Sequence, residues 1–360
     1  MKLYPYLLLF LLPFQAFTQQ KPMLISEEDL ELDVKLQKPK DSFYRNYTYK
    51  RDAKGNVLEC IATYHTDDNP EEKINKRETY TYDEQGNDLR NVYEDWIDAT
   101  KTWCCKLIHD YTYEGKKMLT HTFSKDIKEQ IIPQFKEFLK YDASGNRIEE
   151  LNQSYDTLLN KYVDASKFII TYNSKNQILK EVVYYWKNNK WIEGYITDYT
   201  YNANDSLELL TQKKNYLKVL DNITETITTE GWRTDYERKW FYNPQGVDIG
   251  NTKSIPHPVT GVLTIVETKE YQHDANGNLL AYAEVKASFD KENNLKPNSL
   301  TRENYTYSSD GTTITKNVYS ENDYTYLNLG IVASAHVYTL KYDGIVQKGF
   351  VDPYNKKYSK

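Results

Sequence analysis

Histidines, cysteines and carboxylates are the side chains with which catalysis or metal binding would begin in this sequence. The six histidines are scattered and form no His-x-x-x-His or Cys-x-x-Cys pattern at metal-ligand spacing. They are His65, His109, His121, His257, His273 and His336. His109 and His121 flank Tyr113 and could approach each other across a hairpin, although two surface histidines on a sheet are the simpler interpretation. No metal and no cofactor are therefore expected.

The acidic residues offer a second kind of chemistry, because two carboxylates from different strands are enough to cleave a glycosidic bond. The chain has 52 aspartates and glutamates, so its composition alone does not exclude such a pair. The ones that recur in a fixed context, however, belong to predicted turns, and turn formation explains them. They are Asp83, Asp142, Asp274 and Asp343. No nucleophile elbow or phosphate loop is present, so we expect a protein that is not an enzyme.

Tryptophans near loop tips are the better candidates for function. Residues 186–191 read Trp-Lys-Asn-Asn-Lys-Trp, which predicts a two-residue hairpin loop with Trp186 and Trp191 directly opposite each other. Trp96 and Trp103 flank a longer tip in the same phase of another unit. Aromatic rings at such tips are hard to bury and can stack on sugars or on protein aromatics. All four are candidate binding residues, with packing inside the sheet as the alternative.

The three cysteines are few for an exported protein. Cys60 is predicted on one strand, and Cys104 and Cys105 at the start of another. Neighbouring residues of a strand point to opposite faces, so only one of the pair could face Cys60. Two interpretations stay open, namely one disulfide with one spare thiol, and three free thiols.

These side chains sit in a repeated unit, which is clearest at residues 80–87, Tyr-Thr-Tyr-Asp-Glu-Gln-Gly-Asn. With the second aromatic as a marker, copies fall at positions 49, 82, 113, 141, 172, 201, 242, 273, 307 and 342. A period in this range is typical of an array of supersecondary units. Tyr-Thr-Tyr predicts a strand, and Asp-x-x-Gly predicts a type I turn with a left-handed glycine. Each unit therefore begins with a hairpin.

The second half of each period supplies another tight turn, so the whole array predicts an all-β fold. We expect an antiparallel meander of about ten two-stranded repeats. A twisted sheet rarely exceeds about ten strands without curling or splitting. The sheet must therefore coil, close or fold over itself, and a shell, a propeller and a barrel all stay open.

The chain divides into four predicted parts. Residues 1–18 resemble a secretory signal, with Lys2, an apolar run over 7–12 and a small-x-small site at 16–18. Residues 19–42 are expected to be a flexible lead-in, 43–350 the repeat domain and 351–360 a C-terminal cap. The apolar run is too short to span a bilayer, so no membrane span is expected after signal removal. The expected location is secreted or cell-surface, with the periplasm as a further option.

Composition limits the partners of the protein. The formal net charge is -6, and the sequence has no basic footprint of the kind that nucleic-acid binding requires. The chain has 34 tyrosines and only 3 methionines, which is typical of a thin structure with little aliphatic core. We expect a polysaccharide or a surface protein as partner, and no nucleic acid.

The pattern Tyr-x-Tyr-Asp-x-x-Gly-Asn, best at 80–87, 139–146 and 271–278, resembles the YD repeats of the RHS and teneurin families. It is also similar to looser repeats of secreted Bacteroidetes proteins. The resemblance implies β-hairpin spirals that can wrap into a shell at or beyond the cell surface. The period here is longer, and Asn replaces the usual Arg after Gly. Neither a core-closing motif nor a C-terminal toxin is found, so toxin delivery is not implied.

The sequence thus predicts a secreted, non-enzymatic β-repeat scaffold that binds glycan or protein. The alternative is an outer-membrane β-barrel, whose strands should show a lipid-facing row of aliphatic residues. That pattern is not met by Lys180 and Glu181, on opposite faces of one strand, or by the non-aromatic terminal residues Ser359 and Lys360. A glycan-active hydrolase is the weakest alternative.

Overall fold

The chain is all-β in its computed structural model, which describes residues 24–33, 38–127, 130–216, 231–310, 312–321 and 334–342. These residues form twenty antiparallel strands and no helix, as the repeat predicts. The strands are β1 (Leu24–Asp33), β2 (Lys38–Arg51), β3 (Val57–Thr66), β4 (Asn69–Tyr82), β5 (Asp88–Ile97), β6 (Thr102–Glu114), β7 (Lys117–Ile127), β8 (Gln130–Tyr141), β9 (Arg147–Asp156), β10 (Lys161–Tyr172), β11 (Ile178–Lys187), β12 (Lys190–Tyr201), β13 (Leu207–Tyr216), β14 (Gly231–Tyr242), β15 (Asp248–Pro256), β16 (Leu263–His273), β17 (Leu279–Phe289), β18 (Leu295–Tyr307), β19 (Thr313–Glu321) and β20 (Ser334–Tyr342). The predicted signal segment and the C-terminal cap lie outside the described residues.

The repeated turn forms because its aspartate satisfies the backbone of its own loop. In the turn between β8 and β9, Gly145 N–H donates to the carbonyl of Asp142 at 3.1 Å, and Gly145 has a φ of 87°. The Asp142 carboxylate accepts from the backbone N–H of Asn146 at 2.8 Å and from its side-chain amide at 2.9 Å. Asparagine takes the place of this aspartate at Asn173, Asn202 and Asn243. Asp83, Asp142 and Asp274 are thus structural, as the motif predicts, and Asp343 lies outside the described residues.

The first repeat is offset from the expected position. Its turn begins at Asp52, so Arg51, and not the marker Tyr49, stands where Tyr82 stands in the next unit. Arg51 pairs with Val57, as Tyr82 pairs with Asp88. The marker tyrosine of this unit therefore lies two residues farther from the turn.

The sheet closes on itself. Each strand pairs with its sequence neighbours, and β1 pairs with both β2 and β20, for example through Glu28 with Tyr44 and with Thr339. Of the shell, propeller and barrel that the sequence leaves open, the structure is a closed 20-stranded barrel. In the segment predicted as a flexible lead-in, residues 38–42 begin β2 and residues 24–33 form β1, so these residues are strands and not a flexible segment. Pairing on both sides fixes β1 and covers the two edges that an open sheet would expose.

The two faces of the sheet differ in composition. We call the face that carries Tyr80, Tyr199 and Tyr305 the tyrosine face, and the other the opposite face; directly paired residues share a face. Most of the buried apolar side chains lie on the tyrosine face, including Cys60, Ala62, Leu139, Ile170, Val183, Ile314 and Leu340. None of the described side chains is completely buried, as expected of a single-layered wall.

A series of tyrosine hydroxyls links each unit to the one before it. The tyrosine next to the turn donates its O–H to the backbone carbonyl at the start of the preceding return strand. Tyr141 reaches the carbonyl of Met118 at 2.9 Å, and Tyr201 reaches that of Ile178 at 2.9 Å. Further members are Tyr82 to Val57, Tyr172 to Arg147, Tyr242 to Leu207 and Tyr307 to Leu279. These tyrosines therefore hold neighbouring repeats together.

The described residues contain no helix long and apolar enough to cross a membrane.

Candidate functional site

The Trp186 and Trp191 pair lies where the sequence predicts it. The two residues are directly opposite in the β11–β12 hairpin, with ring centroids 5.1 Å apart at an interplanar angle of 62°. Asn188 and Asn189 have φ values of 52° and 57°, so both take the left-handed conformation that this loop requires. Trp186 is 36 % exposed, which leaves part of its indole ring available to a ligand.

Two neighbouring strands extend this pair into a patch on the opposite face. Lys167 of β10 places its ammonium 4.9 Å from the ring centroid of Trp191 and 5.3 Å from that of Tyr184. Tyr155 and Tyr162 pair across the β9–β10 hairpin with centroids 5.2 Å apart. We call Tyr155, Tyr162, Lys167, Tyr184, Trp186 and Trp191 the aromatic patch. It combines flat aromatic rings with one cation.

Trp96 and Trp103 form a second pair at the tip of the β5–β6 hairpin. They are directly opposite, with centroids 5.0 Å apart and an interplanar angle of 64°. The Arg77 guanidinium lies 4.5 Å from the ring centroid of Trp103. Glu94, whose carboxylate is only 5 % exposed, holds that guanidinium at 2.6 Å and also contacts Lys106 at 3.6 Å. β7 and β8 separate this pair from the aromatic patch, so the four predicted tryptophans lie in two separate clusters.

A row of titratable groups crosses the tyrosine face. Nδ1 of His109 and Nε2 of His121 are 2.8 Å apart, so one ring donates to the other. Glu137 lies 3.4 Å beyond His121, and Glu150 follows, with Arg147 at 2.8 Å from its carboxylate. The approach of the two histidines, which the sequence left open, is thus realised. Their contact requires the register of β6 with β7, which the His spacing alone does not fix.

The surroundings of this row shift the pKa values of its groups in different directions. Burial lowers the pKa of His109, and the charge of His121 adds to that effect. A hydrogen bond from His121 lowers the pKa of Glu137, whereas burial raises the pKa of Glu150. Glu137 and Glu150 lie on the paired strands β8 and β9, and each influences the pKa of the other. The row can hold and share protons, and the described residues contain no cluster of three or more metal ligands.

The three cysteines are free thiols, which is one of the two interpretations left open by the sequence. Cys60 lies on β3, and strands β4 and β5 separate it from the β6 residues Cys104 and Cys105. Burial raises the pKa of the Cys60 thiol to about 11. Cys60 is therefore poorly placed for thiol chemistry.

A cleft that sequence reasoning missed opens beside the tip of the β15–β16 hairpin. It encloses about 790 Å³ and is lined by residues 233–236, Lys253 and the loop 255–261. The Lys253 ammonium lies 4.5 Å from the ring centroid of Tyr236. The loop carries Pro256 and Pro258, but the cleft itself depends on how β14 and β15 are aligned, which the sequence does not fix.

No family model matches this chain, and no curated protein matches it. Similar solved structures include a DUF3836 family protein from Bacteroides vulgatus, with 21% identity over 24% of this chain and 89% of that one, at a TM-score of 0.23. A DUF3836 family protein from Parabacteroides distasonis has 14% identity over 26% and 92%, at a TM-score of 0.23. A porin-like protein from Bacteroides uniformis has 11% identity over 89% and 96%, at a TM-score of 0.25.

Proposed function

We propose that this protein works as a closed β-barrel of the outer cell envelope and binds glycan at one end of its wall. The observation that carries the proposal is the pairing of β1 with β20, which completes the circle of strands. Closure removes both sheet edges, so the cylinder stands without a partner to cover them. A closed sheet is also what the outer-membrane β-barrel, the alternative drawn from the sequence, requires.

The charged side chains of the wall help to decide whether the barrel lies in a membrane or in water. On the opposite face, Lys140 pairs with Glu149 at 2.7 Å and Arg90 lies 3.4 Å from Asp110. On the tyrosine face, a row of charged groups runs from Arg238 to Glu284, with contacts of 2.8, 3.7 and 3.0 Å through Glu267 and Lys269. A charge on the lipid face at mid-bilayer costs about 2–4 kcal/mol. With charges on both faces, the wall is suited to contact with water, and we infer that the barrel is held at the cell surface or released.

The aromatic patch supports a glycan as the ligand. Sugar rings present flat C–H surfaces to aromatic rings, and Tyr and Trp carry such binding at a small loss of side-chain entropy. Lys167, stacked on Trp191, keeps one ring in place and adds a hydrogen-bond donor. The pair Trp96 and Trp103 repeats this arrangement with Arg77 as the cation. One barrel would thus offer two sites to a repeating polymer.

Binding of the exported protein to a polysaccharide panel tests this proposal. Replacing both Trp186 and Trp191 by alanine should weaken binding at least fivefold, since an aromatic hot spot contributes more than about 1 kcal/mol. Tyr319→Ala is the matched control, because this ring is 38 % exposed and lies far along the ring of strands. Equal binding by the double variant and the control would remove the aromatic patch from the account.

Insertion in the outer membrane is the second candidate, and closure of the sheet favours it as well. The aromatic pairs, which share one face near one end, resemble one of the two girdles of such barrels. Purification without detergent separates the candidates. A barrel that stands in water stays monodisperse in buffer and does not bind liposomes. A barrel of the membrane requires detergent and inserts into liposomes.

A further inference from the structure

Cys104 and Cys105 are adjacent in sequence, and their sulfur atoms are only 2.8 Å apart. In a regular strand their side chains would point to opposite faces, as the sequence predicts. A β-bulge changes this. The register of β5 with β6 steps from Tyr93 opposite Leu107 to Asp95 opposite Cys104, so that Cys105 and its successor both stand opposite one residue. The bulge thus places the two sulfur atoms next to each other.

The backbone at Cys105 is unusual in this chain. Its φ of 59° lies in the left-handed region, which non-glycine residues rarely adopt. The other non-glycine residues with positive φ among those described lie in turns and hairpin tips, such as Asn188 and Asn293. Cys105 is thus the one non-glycine residue in the described strands that is held this way. Such local strain is commonly found where a side chain must be presented for a task.

The surroundings give the two thiols different roles. Cys105 is exposed, and Cys104 is half-buried beside it. The contact with Cys105 raises the pKa of the Cys104 thiol to about 11, and the charges of Asp95 and Asp126 act in the same direction. An oxidant in solution therefore reacts first with the exposed Cys105, and the Cys104 thiol lies close enough to react with it next. Cys60 is buried on β3, with two strands between it and β6, and cannot compete.

We propose that Cys104 and Cys105 are a dithiol modification site, which a low-molecular-weight disulfide oxidises to a disulfide between the adjacent residues. Cys105 as thiolate attacks one sulfur of the small disulfide, forms a mixed disulfide and releases one small thiolate. Cys104 then loses its proton and attacks Sγ of Cys105, which forms the ring and releases the second small thiolate. The two cysteines together lose two protons and two electrons, and the small disulfide is reduced to two thiols.

The test uses the folded, exported protein with an excess of oxidised glutathione, followed by alkylation in denaturant and peptide mass spectrometry. The peptide that contains both residues should become lighter by two hydrogen atoms and carry no alkyl group. Cys60→Ser should behave in the same way. In Cys104→Ser, the reaction should stop at the glutathione adduct of Cys105. Added dithiol reductant should restore both alkylation sites.

Three outcomes would overturn the proposal. They are alkylation of both residues after oxidation, glutathione adducts on both, and a dimer joined through Cys105. A parallel oxidation in urea separates the role of the fold from that of the sequence. The ring should form more slowly there, because the bulge that places the sulfurs together is lost, and an equal rate would contradict the geometric argument.

Discussion

Removing a single hydroxyl tests whether the tyrosines link the repeats. Tyr201→Phe keeps the ring of a half-buried residue and deletes only the hydrogen bond from its O–H to the carbonyl of Ile178, 2.9 Å away. A hydrogen bond of this type contributes about 0.5–1.5 kcal/mol to the free energy of unfolding. Because water can reach part of this site, we expect the lower half of that range.

A second member of the series gives an additive test. Tyr141→Phe deletes the bond to the carbonyl of Met118, also 2.9 Å long, four strands away from Tyr201. Distant substitutions usually add, so the double variant should lose about 1–2 kcal/mol. Tyr319→Phe is the control, since its ring is 38 % exposed and it lies outside the series, and it should change stability by less than about 0.5 kcal/mol.

Urea unfolding followed by circular dichroism measures these differences. Each variant should shift the midpoint and leave the denaturant dependence unchanged. A double variant as stable as the wild type would refute the argument that the hydroxyl series holds neighbouring units together. A changed denaturant dependence would show instead that the ring of strands no longer unfolds as one unit.

Three further predictions concern local features of the wall. Turn hydrogen bonds lower the pKa of Asp83, Asp142 and Asp274, so their stabilisation is complete above the pKa of an unfolded aspartate and is lost as the pH falls through the lower folded pKa. The stability of the wild type relative to the triple Asp→Asn variant should therefore decrease as the pH falls through this range, and a difference that does not change with pH in urea unfolding would contradict this. Gly250→Ala would place Cβ 2.2 Å from the carbonyl oxygen of Lys269 and should cost about 1–3 kcal/mol in thermal or urea unfolding, whereas Gly261→Ala, with open space around it, should cost less. Arg77→Ala leaves the carboxylate of Glu94 without its closest cation and should destabilise the protein by about 2 kcal/mol, with Arg77→Lys intermediate; equal unfolding midpoints for the three proteins would contradict this.

The features that the sequence predicts well are local. The Asp-x-x-Gly-Asn turn and the Asn-Asn hairpin are determined within a few residues, so the repeat, the antiparallel meander and the Trp186 and Trp191 pair follow from them. The features that it misses depend on distant strands or on register. Closure rests on β1, which lacks the motif, and the contact of Cys104 with Cys105 rests on a bulge that alternation in a regular strand does not include.

The candidate sites divide in the same way. The tryptophan pairs were predicted because both members lie in one hairpin. The cation beside each pair was not, since Lys167 and Arg77 come from the neighbouring strand. The row from His109 to Glu150 crosses four strands and requires the register of every hairpin between them.

Cross-linking β1 to β20 tests closure most directly. In a background with Cys60, Cys104 and Cys105 replaced by serine, Glu28→Cys with Thr339→Cys joins two directly paired positions. Their Cβ atoms should be about 4.5–5.5 Å apart, and those of the displaced control, Glu28→Cys with Lys341→Cys, about 7–8 Å. A closed barrel predicts a rapid disulfide within one molecule for the paired positions and little for the control. Failure of the paired cysteines to join, or cross-links between molecules through free edges, would contradict the closed barrel.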